Sequence, residues 1–432
     1  MKFTYDYTKC MMMKLKMADP DRKGGSIIYC DCEKALTMIR ETDALTLGIP
    51  KIIYLVGWQY NGHDDRYPAF FAVNEGIRRP CDKTALDSLL WLIEEAKQYH
   101  TVVSVHINFA DAYEDSPIFD EYVKANALIR NRLGKNARIE RYNGKPCYKI
   151  SYKEEWESGL FHKRVDRILE MLPLQQAGSV HVDNFQCYVN RRPFVSAAEM
   201  QEYRNRMIDY LADKGIDITS EFTYREGKGT GLLYGRITRD VTPTRYPMAL
   251  IGRIPAVWWV DKMTMQEYFD YYPEKYCGGL PKNKKARAML YGNIHGEETW
   301  LQPNWHAAFL KEFCTINVPF YYLSKKQKKT FGKGQNSVIY QDGTVSRVDG
   351  TIVSDGQVVK QGNTVFLPYL DGYIVYSDTS CNVSGKVPFA TAQLYEITAQ
   401  GKVALQTLQA HDGQMQVSAT GGKAYYLQPL QA

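Results

Sequence analysis

The 432-residue sequence has no C-x-x-C pair among its nine cysteines (10, 30, 32, 81, 147, 187, 277, 314 and 381). An odd, scattered set argues against both a zinc framework and a disulfide framework, and leaves free thiols suited to a reducing compartment. No run of 18 apolar residues exists, and Met11-Met12-Met13 is interrupted by Lys14 and Lys16. The expectation is therefore a chain without a membrane span or an export signal of its own, cytoplasmic rather than secreted unless a signal has been trimmed. Charge is also sparse: 54 Lys+Arg against 48 Asp+Glu leave only +6, which removes nucleic acid as the default partner. No P-loop, G-x-S-x-G elbow or dinucleotide fingerprint is present, so no cofactor is expected.

What the sequence does contain is a series of short apolar runs, at 26–30, 51–57, 101–107, 179–183, 216–221, 248–253, 288–293 and 316–323. Helical patterns lie between several of them, at 33–41, 83–98 and 197–214. Eight strands alternating with helices predict a (β/α)8 TIM-type barrel over residues 1–325. The stretch 111–177 is too long for one loop. It reads as an insertion on the catalytic face, with helices at 118–132 and 160–172 around a hairpin turning at Asn143-Gly144. No helix is evident after the eighth run.

The composition changes near residue 325: all seven tryptophans lie between Trp58 and Trp305, and a lysine-rich linker follows. From Ser337 onward Asp-Gly recurs at 342, 349, 355, 371 and 412 between alternating apolar residues. That pattern predicts a small antiparallel β-sandwich over 326–432.

In a barrel the reacting groups stand where strands end. Asp183 closes the fourth run and Glu221 the fifth, so neighbouring strand tips offer two carboxyl groups, the arrangement of a glycosidase nucleophile and acid/base. After the second run come Trp58, Gln59, His63, Asp64 and Asp65, whose flat rings and fixed acceptors suit a sugar. His106 and Asn108 share one face of the third strand. His295 and Glu297 follow the seventh. His63, Asp64, His106, His181 and Asp183 also assemble into the donor set of a barrel metallohydrolase, but the tight His-x-His pair such sites use on an early strand is missing, so no metal is expected. Three classes stay open on the residues alone: a glycosidase, a non-catalytic carbohydrate-binding barrel and a metallohydrolase.

The linked motifs Tyr54-Leu-Val-Gly-Trp-Gln-Tyr, Gly62-His-Asp, Tyr67-Pro68, His106-Ile-Asn108, Asp111-Ala-Tyr113, Val182-Asp183 and Ser220-Glu221 resemble the catalytic barrel of the endo-α-N-acetylgalactosaminidases, glycoside hydrolase family 101. The resemblance implies a barrel followed by a β-sandwich, and retaining cleavage of Gal-β-1,3-GalNAc from Ser/Thr of mucin-type O-glycans. It makes Asp183 the nucleophile, Glu221 the acid/base, and Asp64 and His106 sugar-binding residues. The partner is then a carbohydrate or glycopeptide. Family members are very large and multimodular, whereas this chain reads as a barrel and one β-module, so an exo-acting α-N-acetylgalactosaminidase or α-galactosidase is the alternative within the enzyme class. In an α-linked 2-acetamido sugar of this configuration the acetamido group lies on the same side of the ring as the leaving group. It cannot attack from behind, and an enzyme carboxylate has to.

Overall fold

The computed structural model describes residues 4–5, 9–21, 23–183, 185–220, 294–295, 301, 303–326, 328–331, 337–347 and 349–430. They fall into two compact units, one holding 13–37 and 52–220, the other 38–51 and 294–430.

The first unit is built on a sheet whose strands are β1 (Met11–Lys16), β4 (Lys51–Val56), β5 (Thr101–Asn108), β9 (Ser179–Asp183) and β12 (Asp217–Ser220), in the spatial order β12-β9-β5-β4-β1. β12, β9 and β5 run parallel. β4 is buried at every position, as a strand covered on both faces must be, and its sequence Lys-Ile-Ile-Tyr-Leu-Val is correspondingly an unbroken apolar run after the first residue. Between the strands lie α1 (Cys32–Thr46), α2 (Ala85–Glu95), α5 (Leu160–Met171) and α7 (Ala197–Ala212). α2 begins at a reciprocal capping box in which Thr84 and Asp87 bond each other's backbone N–H. Short β2 (Ala18–Pro20) and β3 (Ser26–Ile28) form a separate hairpin.

Register sets the layers of the interior. His106 pairs with His181, and His181 with Thr219; two residues further on, Asn108 pairs with Asp183. Side chains two apart on a strand share a face, so these five residues project from one side of the sheet in two tiers.

Three expectations are corrected. The first strand of the sheet is Met11–Lys16, and the run at 26–30 supplies only β3 of the hairpin. The run at 316–323 is not a strand: a π-turn over Phe313–Asn317 leads into a helix over Val318–Ser324, so the helix thought to be missing is here. Pro319 stands directly after the π-turn, in the first turn of that helix. Helix 118–132 shrinks to α3 (Phe119–Lys124), ended by Asn126 in the left-handed conformation. The inserted hairpin does turn at Asn143-Gly144, joining β7 (Arg138–Tyr142) to β8 (Lys145–Lys149), and β8 also pairs with β6 (Asp111–Ala112). The runs at 248–253 and 288–293 lie outside the described residues. The sheet is thus a parallel one flanked by helices, and the closed eight-stranded barrel stays a proposal.

In the second unit ten strands between Lys328 and Pro429 form one antiparallel sheet, and Cys381–Lys386 pairs with Gln414–Ala419 in a second. Phe366, Val375 and Leu427 of the large sheet share a core with Val383, Met415 and Val417 of the small one, so the C-terminal segment is antiparallel β, as expected, with residues of two sheets in one core. At Asp355-Gly356 and Asp412-Gly413 both turn residues take positive φ, as tight hairpin turns require. Tyr369 donates to the Thr46 carbonyl at the end of α1 (2.7 Å) within this same unit.

Candidate active site

The region at the ends of β4, β5 and β9 is shaped first by backbone. Gly57 leaves β4 at φ +77°, and a Cβ there would stand 2.0 Å from the Ala18 carbonyl oxygen. Only glycine permits this approach. The 57–68 loop then holds Tyr60, Asp64 and Arg66 in the left-handed region, a conformation that persists only where surrounding bonds enforce it. They do: the His63 N–H donates to the Ala18 carbonyl (2.9 Å), Gly62 N–H to Gln59 (2.8 Å) and Asn61 N–H to Asp65 Oδ2 (3.2 Å).

Against this loop the histidines form a stack. His63 meets His106 edge-on at 5.1 Å between ring centres, and His106 lies 5.2 Å from His181. His181 Nδ1 bonds Thr219 Oγ1 at 2.8 Å. Carboxylates flank the stack, with Asp183 Oδ2 3.7 Å from His106 Nε2 and Asp64 Oδ1 3.6 Å from His63 Nε2. One donor atom each from His63, His106 and Asp183 lies within 4.8 Å of the other two. His106 is buried, while the Asp183 and His63 side chains keep 15% and 21% exposure, so the cluster opens on one side.

Two tyrosines close the other side. Burial pushes the Tyr67 hydroxyl well above its ordinary pKa, and the nearby Asp64, Asp183 and Asp111 carboxylates push it further. Tyr113 is raised for the same reasons, burial first and then Asp64 and Asp111. Both therefore remain protonated donors at any physiological pH. Tyr67 accepts from Gln59 Nε2 (3.2 Å), so its own hydrogen is left to point elsewhere.

The residues picked out from the sequence divide into two groups. His63, Asp64, His106 and Asp183 come together. Trp58, Gln59, Asp65 and Asn108 lie beside them, fully buried and bonded within the protein. Trp58 Nε1 donates to the His106 carbonyl (3.1 Å), and Gln59 Nε2 to that of Gly62 (3.1 Å). Asn108 Oδ1 accepts from the Ala110 and Asp111 N–H groups (2.8 and 2.9 Å), and its Nδ2 donates to Asp111 Oδ2 (2.9 Å), which closes a turn at the tip of β5. Asp111 in turn pairs with buried Lys149 of β8. Glu221 and Glu297 lie outside the described residues; His295 is described only as backbone, in the strand Ile294–His295.

Two kinds of supporting residue were missed. Lys145 bridges Asp65 Oδ1 and Asp115 Oδ2, both at 2.5 Å, and Asn143 Nδ2 donates to the His63 carbonyl (3.1 Å), so the inserted hairpin clasps the sugar-type loop. Nothing in the spacing signals this. Buried Arg164 and Arg204 were legible: each falls in the apolar stripe of its helix, Leu160-Phe161-Arg164-Val165-Ile168 and Met200-Tyr203-Arg204-Met207-Ile208. Arg164 donates to the carbonyls of Asn108 (3.2 Å) and Phe109 (3.1 Å), and Arg204 to that of Phe185 (3.1 Å), fixing the chain just past the tips that carry Asn108 and Asp183.

The model of the endo-α-N-acetylgalactosaminidase family matches residues 32–230, which bears out the resemblance read from the motifs and spans the whole cluster. No curated protein matches the chain in sequence. Among solved structures, the chain is similar to the α-N-acetylgalactosaminidase NagBb from Bifidobacterium bifidum in complex with GalNAc, at 13% identity and a TM-score of 0.51 over 83% of this chain and 58% of that one. The ligand-free form of the same protein aligns at 13% identity and 0.51 over 82% and 58%. The chain thus spans less than two thirds of the length of that protein, and the likeness is one of fold. Among the described residues, no helix is long and apolar enough to cross a membrane.

Proposed function

We propose that the protein is a retaining glycoside hydrolase acting on α-linked N-acetylgalactosamine of mucin-type O-glycans, in a (β/α)8 barrel whose strand tips carry the chemistry. The observation that carries this reading is Asp183 at the end of β9, partly open to solvent, beside His106 and the His63–Asp64 pair. Asp183 attacks the anomeric carbon from the face opposite the aglycone, because the 2-acetamido oxygen of an α-linked sugar cannot reach that face. Glu221 protonates the departing Ser/Thr oxygen, then as carboxylate activates the water that releases the sugar with retained configuration. Its place in the sequence supports the role: Ser220 is the register partner of Val182, and Glu221 follows Ser220 in the sequence as Asp183 follows Val182. His63, Asp64 and His106 hold sugar hydroxyls. The same stereochemistry excludes the substrate-assisted route, so retention would need a nucleophile from the protein. The family match and the name of the similar structure support this choice of substrate.

The test is a screen of the purified chain on aryl α-glycosides of N-acetylgalactosamine, galactose and Gal-β-1,3-GalNAc. Release from the disaccharide glycoside supports endo action; release only from a single-sugar glycoside supports the exo-acting alternative; release from none overturns the proposal.

A second reading is favoured by one observation, the convergence of His63, His106 and Asp183. Two imidazoles and a carboxylate are a donor set suited to zinc, and such a site would use the ion to activate water. Activity lost on chelation and restored by zinc, with stoichiometric metal in the purified protein, would favour this reading over the glycosidase one.

A further inference from the structure

Among the described residues, Leu133 and Phe194 are the two most exposed large apolar side chains, at 78% and 67%. They belong to different loops that the backbone ties together: the Arg191 N–H donates to the Arg130 carbonyl (3.0 Å), and the Arg130 N–H to Asn190 Oδ1 (2.9 Å). The turn at Gly134 packs on Arg192, whose Cδ lies 3.4 Å from where a Gly134 Cβ would be. The charge on these loops has one sign. Residues 126–138 and 185–198 contain Arg130, Arg132, Lys135, Arg138, Arg191 and Arg192, and neither segment has a single Asp or Glu. Arg138 is engaged by Glu114 (3.5 Å) and Arg130 by Asn126. Arg132, Lys135, Arg191 and Arg192 have no acidic partner among the described residues. The two loops thus make a cationic ridge with two apolar tips.

The ridge lies on the side of the strand tips, since one loop follows β5 and the other β9. Asn190 is seven residues past Asp183, which places it within about 25 Å of that carboxylate along the chain. We propose that this ridge is a docking surface for the acidic polypeptide flank of a glycopeptide substrate, a reading that rests on the glycosidase function proposed above. Three of the four cations without an acidic partner are arginines, whose planar forks match carboxylates in a two-bond geometry that a lysine ammonium cannot offer. Leu133 and Phe194 supply apolar contact for the side chains between those carboxylates. A peptide reaching from the strand tips to the ridge needs at most about seven extended residues, the same reach that bounds the protein's own chain between them.

The test compares the wild-type chain with an Arg191→Glu/Arg192→Glu double variant and with Phe194→Ser. Substrates are p-nitrophenyl α-N-acetylgalactosaminide and two synthetic glycopeptides carrying the same α-GalNAc-Thr, one flanked by Asp and Glu and one by Gly and Ala. The wild type is expected to favour the acidic glycopeptide in kcat/KM by roughly tenfold at low salt, with the preference fading at high salt. Charge reversal is expected to abolish that preference and leave the aryl glycoside rate unchanged; Phe194→Ser is expected to weaken both glycopeptides. Fluorescence anisotropy with the acidic peptide lacking sugar gives a readout independent of hydrolysis. Binding lost on charge reversal supports the ridge even if no glycoside is cleaved, a result that would count against the proposed function alone. Equal handling of acidic and neutral peptides by all three proteins overturns the proposal. So does sedimentation with phosphatidylserine vesicles that charge reversal abolishes while peptide binding is absent.

Discussion

Lys145 Nζ stands 2.5 Å from Asp65 Oδ1, and through that pair the turn of the inserted hairpin holds the loop carrying His63 and Asp64. The Asp65 carboxylate is fully buried, and without Lys145 it keeps only the more distant Arg66 guanidinium (3.8 Å) and the Asn61 N–H (3.2 Å). Lys145→Met is expected to cost about 1–3 kcal/mol and to raise KM more than it lowers kcat, because the loop proposed to hold the sugar loses its clasp. Lys145→Arg is expected to recover most of both. Thermal melts and steady-state kinetics on an aryl glycoside check this, and unchanged KM in Lys145→Met would make the clasp irrelevant to binding.

Arg164 and Glu155 form a wholly buried ion pair at 2.7 Å, completed by the Tyr122 hydroxyl on Glu155 (2.5 Å). Replacing Arg164 with Leu strands Glu155 and two strand-tip carbonyls at once. The expected loss is about 3–5 kcal/mol, read as a lower midpoint in urea. Because the pair itself is costly to desolvate, the double change Arg164→Leu/Glu155→Leu is expected to be less damaging than Arg164→Leu alone. A double variant worse than the single one would contradict this assignment of the loss.

Lys360, buried in the β-sandwich and donating to the Gly350 and Gly362 carbonyls, has its pKa lowered by burial to about 8, against an ordinary 10.5. Between those pH values the unfolded chain holds a proton that the folded chain has released, so stability rises as pH climbs from 8 towards 10.5. Below 8 the buried charge weakens the fold by up to ~3 kcal/mol, reduced by the two carbonyls that accept from it. Lys360→Met is expected to flatten this rise in melts recorded across pH 7.5 to 10.5. An unchanged slope in the variant would place its origin elsewhere.

Glu221→Gln is expected to slow Ser-linked sugars by orders of magnitude and dinitrophenyl glycosides far less, since a dinitrophenolate departs without a proton. Equal losses on the two substrates would assign Glu221 a structural part.

How much of this was legible depends on what each segment buries. Runs rich in Ile and Val, such as Lys51–Val56 and Thr101–Asn108, announced themselves as strands. Met11–Lys16 did not, because its methionines carry no β-branch and Lys14 and Lys16 break the apolar run; only the fold shows Lys14 to be buried. At 313–324 the same propensities misled: the aromatic and β-branched sequence Ile-Asn-Val-Pro-Phe-Tyr-Tyr-Leu is buried nearly all round, which erases the helical period that would have identified it. That Asp183, His106, His63 and Asp64 would lie near one another was legible because strand-tip position is a sequence property once strands are located. Asn108, by contrast, was placed correctly yet spends its side chain on its own turn, and Lys145 is brought to Asp65 by a contact spanning 80 residues that no local pattern encodes.

Azide rescue of Asp183→Ala on an aryl α-N-acetylgalactosaminide tests whether Asp183 forms the covalent glycosyl-enzyme proposed above. The variant is expected to keep the wild-type melting behaviour and to lose turnover by several orders of magnitude. Added azide is expected to restore part of it, with NMR showing the β-configured glycosyl azide formed by attack from the vacated face. A folded Asp183→Ala protein with full turnover, or one that azide does not rescue while zinc does, would contradict the account.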